Sequence, residues 1–200
     1  MKLLSYPSLG RIGVGLLALV AGAAQAHTGH GTSGLFEGLA HPLGLDHLLV
    51  MLAVGIWSVS ALPAGKSWWG PAVFMATLLL SSVLGAIGLA VPFLEQMISL
   101  SVVLLGAMLI LSRRGAPVPL GLALVALVAS LHGLAHGAKA PGSAFVSYAL
   151  GFLASTALLH FGGVLAARGI GRYLARTATW VVGALGTLCG GAGFYLLSQF

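Results

Sequence analysis

Apolar residues occur in this chain as long blocks, with neither the alternation of strands nor the narrow stripes of surface helices. Six blocks fall near residues 43–62, 70–91, 95–112, 118–138, 143–166 and 176–198. Each approaches the ~20 residues an α-helix needs to cross the hydrocarbon core of a bilayer, the third being short. Helix breakers separate them: Pro63, Gly65 and Pro71, then Pro92, then Pro117 and Pro119, then Pro141 and Gly142. The pattern predicts an all-α integral membrane bundle of six transmembrane helices. Small residues recur four apart at Gly133 and Gly137, Gly151 and Ser155, and Gly186 and Gly190. In lipid such pairs let helix backbones approach closely. They predict a compact bundle and carry no chemistry. No internal repeat of the kind found in many transporters is visible.

A shorter apolar block precedes these. Lys2 and Arg11 supply a positive region, Ile12 to Ala24 an apolar one, and Ala24-Gln25-Ala26 a small-x-small cleavage pattern. Residues 1–26 therefore read as a secretory signal peptide, with an uncleaved anchor as the alternative. The remaining domain, 27–200, then begins outside the cytoplasm.

Composition agrees with the pattern. The chain is 58% hydrophobic and 6% charged, with a mean hydropathy of +1.05, against about 25% charged residues in ordinary soluble domains. No soluble domain fits in what is left. The net charge of +6 does not mark a nucleic-acid surface, because the basic residues are few and scattered between apolar blocks. Their distribution orients the protein instead. Six crossings from an outside His27 put Lys66, Arg113, Arg114, Arg168, Arg172 and Arg176 inside, and leave Lys139, Glu37 and Glu95 outside. That bias follows the positive-inside rule and places both mature termini outside. The single cysteine, Cys189, excludes an internal disulfide or a thiolate cluster and reads as a small packing residue.

The candidate chemistry is histidine chemistry. His41-Pro42-Leu43-Gly44-Leu45-Asp46-His47 places two imidazoles and one of only three acidic side chains at the mouth of the first span. Ionisable groups at membrane depth are expensive and usually functional. His, Asp and His suit a divalent cation; the plainer alternative is helix capping and hydrogen bonding across the bundle. Pro42 suits a first helical position, with His41 at or just before the N-cap. Residues six apart on a straight helix lie about 240° out of phase. His41 and His47 therefore share an ion only if the chain bends, as Gly38, Pro42 and Gly44 would allow. Asp46 is a direct ligand or the acceptor that orients a histidine. Met51, one turn deeper than His47, offers a thioether or simply packs.

A second cluster, Leu131-His132-Gly133-Leu134-Ala135-His136-Gly137, puts His132 and His136 at i and i+4 on one face. Both lie toward the same membrane face as His41 and His47. His27 and His30, on the short mature tail, would collect metal with the new α-amino group or form a plain polar tail. His160 lies deeper in the fifth span, as a second station on a path or as a hydrogen-bonded bundle residue. Gly65-Lys66-Ser67 imitates the end of a phosphate-binding loop, but position 60 is Ser60 where glycine is required and no strand precedes it. Neither a G-x-S-x-G motif nor a catalytic serine is present, and the chain does not read as an enzyme.

With these residues in view, the chain resembles the HupE/UreJ family of bacterial membrane proteins. The resemblance rests on His41-Pro42, Gly44, Asp46-His47 and Met51, on the signal peptide and six spans, and on the cluster from His132 to Gly137. It covers essentially the whole mature chain. The His-x4-Asp-His pattern also looks like the signature of the larger nickel/cobalt permeases. The resemblance implies uptake of Ni²⁺ or Co²⁺ for hydrogenase, urease or cobalamin pathways. The ion is then the transported cargo, with no permanently bound cofactor, and the bilayer is the partner. A homo-oligomer and accessory transport subunits are left open. Two other classes stay in view: a haem-binding or other redox bundle with facing histidines, and a non-transporting metal-binding partner of another permease.

Overall fold

In the computed structural model, which describes residues 34–140 and 144–200, every regular element is helical. We number them α1 (Gly34–Ala40), a 3₁₀ turn (His41–Leu43), α2 (Leu45–Ala61), α3 (Trp69–Ala86), α4 (Leu94–Leu111), α5 (Val118–Lys139), α6 (Phe145–Tyr173) and α7 (Ala178–Leu197). The expected signal peptide, His27 and His30 lie outside the described residues. Helices α3 to α7 are each long and apolar enough to cross a membrane. The bent pair of α1 with its 3₁₀ turn and α2, counted as one broken span, brings the number to six.

Three boundaries differ from those read in the sequence. The first span does not begin near 43 with His41 as its cap. Helix α1 and the 3₁₀ turn come first, and Gly44, at φ −55° and ψ 143°, is the N-cap of α2. Helix α3 stops at Ala86 rather than 91, because Gly88 adopts φ 95° and Val91 precedes a proline. Helix α6 runs past 166 to Tyr173. Apolarity ends at Arg168, but helical geometry does not, and Arg172 in the last turn suits the negative end of the helix dipole.

The break between α1 and α2 is a bend of 71°. Pro42 is buried in the 3₁₀ turn and brings no N–H that would need a partner. Gly44 N–H donates to the His41 carbonyl at 3.2 Å, and the Gly44 carbonyl accepts from Leu48 N–H at 2.8 Å. No side chain caps α2, but Asp46 lies in its first turn, where a carboxylate complements the exposed N–H groups. Irregular backbone at membrane depth is tolerated where protein covers it.

Helix α2 is the axis of the bundle and touches α3, α4, α5, α6 and α7. Around it stand three tight pairs: α3 with α5, α4 with α7, and α1 with α6. Their closeness depends on missing side chains. A Cβ at Gly137 would overlap the Ser82 carbonyl oxygen, and one at Gly151 would overlap that of Leu35. A Cβ at Gly186 would lie 2.7 Å from the Gly106 carbonyl oxygen. The four-residue spacing of small residues thus marks real backbone contacts. Leu80, Trp180, Leu188 and Phe194 point outward, giving the apolar exterior that lipid requires.

Two contacts fix which ends meet. Lys139 at the end of α5 donates to Glu95 at the start of α4 at 2.8 Å, and Arg168 of α6 donates to Ser67 before α3 at 3.3 Å. The first lies at the histidine end of the bundle and the second at the arginine end. The structure is that of a multi-pass membrane protein.

Candidate metal centre

The bend at Gly44 brings His41 and His47 together, with ring centroids 5.2 Å apart. Helix α5 supplies two more rings. His136 lies 4.6 Å from His41 and 4.8 Å from His47, and His132 lies 4.8 Å from His47. Four imidazoles from three elements thus form one contiguous cluster at the start of α2. His132 and His136 are fully buried, and His47 is 5% exposed.

Ring nitrogens set what the cluster can do. His132 Nδ1–H donates to the Val128 carbonyl at 2.9 Å. That bond fixes the tautomer and leaves the Nε2 lone pair free. His136 Nδ1 shares a 3.4 Å hydrogen bond with the Tyr148 hydroxyl. The Nε2 atoms of His47, His132 and His136 are buried with no hydrogen-bond partner. One such orphan is costly, and several side by side demand a reason. One ring nitrogen each from His41, His47 and His136 lie within 4.8 Å of one another. An ion with metal–nitrogen bonds of about 2.0–2.1 Å holds tetrahedral neighbours about 3.4 Å apart, so modest ring rotations would close the set.

Asp46 stands beside this cluster. Its Oδ1 lies 2.8 Å from His47 Nδ1, at an angle out of line with a ring N–H. The position suits a carboxylate that orients His47 and offsets the charge of a bound cation, leaving His47 Nε2 as the ligand atom.

Met51 and His160 lie deeper in the bundle. Met51, one turn beyond His47 on α2, is fully buried in the apolar core with Val50 and Val54. His160, 1% exposed, shares one neighbour with His132: the Phe74 ring centroid lies 6.2 Å from His132 and 4.8 Å from His160.

Three residues absent from the sequence reading help to shape the site. Phe152 stacks on His136 at 4.7 Å and 9°. Tyr148 contacts His41 and His136, and Phe74 floors the cluster. Tyr148, Phe152, Thr156 and His160 recur every four residues along α6. That regular stripe was the available signal for two of the three; Phe74, alone in an apolar run, gave none.

Comparison with known proteins adds to this geometry. The profile of the family described as HupE / UreJ protein matches residues 15–196. Protein HupE of Rhizobium leguminosarum bv. viciae is 39% identical over 143 residues, which is 70% of this chain and 74% of that protein. No solved structure matches the chain.

Proposed function

Because the chain belongs to the HupE/UreJ family, we propose that it is a secondary permease or channel-like importer of Ni²⁺ or Co²⁺, supplying metalloenzyme maturation. The observation that carries this reading is the set of buried, partnerless Nε2 atoms on His47, His132 and His136 beside His41. Imidazole suits nickel, cobalt and zinc alike, and affinity order alone does not choose among them. The cargo would load at the four rings, its charge offset by Asp46. His27 and His30 would raise capture at low metal. Release requires a path on which each site binds weakly enough to let go. A haem reading fits less well, because the four rings touch one another and a macrocycle must lie between two facing ligands.

The test is uptake into liposomes that contain only this protein, with nickel, cobalt, zinc and copper compared. Saturable nickel or cobalt entry supports the reading. Binding without entry would leave a metal-binding partner of another permease.

Orientation follows from the charges. The arginine end faces the cytoplasm in this account, with both mature termini outside. A periplasm-dependent reporter fused after Phe200 should be active, and cytoplasmic activity there would overturn the six-crossing count.

Metal binding should also fall with pH. Histidine ligates as the neutral ring, so protons compete with the ion. Affinity should therefore weaken as acid protonates the ligating rings. Affinity that stays constant down to the pH at which the protein unfolds would exclude imidazole ligation.

A further inference from the structure

A cavity of about 370 Å³ opens between α3 and α6 at the arginine end of the bundle. Ser67 and Arg168 line it at the arginine end, Met75 and Val164 line its walls, and Ala157 and His160 line it on the side toward the histidine end. His160 is held there by its own helix. Its Nδ1–H donates to the Thr156 carbonyl at 2.8 Å, so the Nε2 lone pair is available. That Nε2 is buried without a partner, and so is the Thr156 hydroxyl one turn away. Phe74, fully buried, contacts both His160 and His132 of the four-ring cluster.

From this arrangement we propose that His160 is a second cation-coordinating station, and that the Phe74 ring is the wall separating it from the four-ring site. The inference deepens the transport reading by naming where the cargo goes next. A single imidazole completed by water from the cavity binds a divalent ion far more weakly than a set of imidazoles, which suits a site of release. None of the residues lining the cavity is a carboxylate that would retain the ion, and Arg168 at its arginine end disfavours rebinding from solution. Movement of one aromatic side chain would join the two stations, with no helix required to slide.

Two measurements on the full chain test this. The first is a cobalt titration of purified protein in a His27→Ala, His30→Ala background, which removes tail binding. Tight and weak classes of bound cobalt are expected. His160→Ala and His160→Gln should lose the weak class and keep the tight one, and His47→Ala the reverse. Loss of the tight class in His47→Ala with no change in either His160 variant would overturn the second station while leaving the first site standing. Loss of the weak class in the His160 variants with no change in His47→Ala would do the opposite. The second measurement places a thiol by His160→Cys in a Cys189→Ser background, in sealed vesicles with a membrane-impermeant cationic thiol reagent. Labelling is expected only from the arginine end. Adding Phe74→Ala should open labelling from the histidine end, and Phe74→Leu should not. No labelling from the arginine end would show that ions do not reach His160 from that side and would overturn the release station, and equal labelling from both sides with Phe74 intact would remove the wall.

Discussion

His47→Ala should abolish nickel and cobalt uptake while the protein still inserts in the membrane. His47 is the one ring in contact with three others, His41, His132 and His136, and its Nε2 is buried and unpartnered. Nothing else at the start of α2 can replace that nitrogen. Because truncation leaves a small void, His47→Gln is the companion variant; it keeps most of the volume and should fail as well. Asp46→Asn retains the oxygen near His47 Nδ1 but loses the charge. Removing a group that orients a ligand typically costs about 10–100-fold in metal affinity. The missing charge adds to that cost, because a dication in a low-dielectric site needs a compensating anion. Uptake at limiting metal by cells making these variants, with membrane insertion checked by the amount extracted, reads both effects. Full uptake by inserted His47→Ala protein would remove the four-ring site from the transport path.

Gly137→Val should be the most damaging single change to the fold. The added Cβ alone would overlap the Ser82 backbone carbonyl oxygen, and it would lie 2.8 Å from the Ala86 nitrogen. Backbone atoms cannot rotate away, so α3 and α5 must separate. Overpacking of this kind costs about 1–3 kcal/mol and sometimes more, and here it also displaces His136, one residue away. Both thermal stability and tight metal binding should fall. Gly183→Ala on α7 is the control. A Cβ there meets nothing within 4 Å, and alanine gains about 1 kcal/mol of helix propensity over glycine. Equal melting of the two variants would show that the close contact of α3 with α5 does not hold the bundle together.

Much of this was legible in the sequence because membrane helices announce themselves by hydrophobic length. The fourth and sixth spans, α5 and α7, fall within two residues of their expected limits. The condition that His41 and His47 meet only across a bend was also readable, from the phase of a helix and from Pro42 and Gly44. What hydrophobicity could not show was that the chain before the bend is itself helical. Helix α1 is seven residues long and carries Glu37, too short and too polar to register as a span. It is held by packing on α6, where Gly38 sits against the Tyr148 carbonyl, and tertiary contacts of that kind have no local signature. The ends of α3 and α6 were missed for a related reason. Apolarity measures where lipid is, and helices stop where backbone geometry says so, at Gly88 or after Tyr173. Phe74 was invisible because its role comes only from its neighbours, His132 and His160.

The central claim is that the four rings hold the cargo, and X-ray absorption of the nickel-loaded full chain tests it most directly. The account predicts a first shell dominated by imidazole nitrogen, at least three rings per nickel, with that signal lost in His47→Ala. A shell of water and carboxylate oxygen, or an imidazole signal unchanged in His47→Ala, would contradict it.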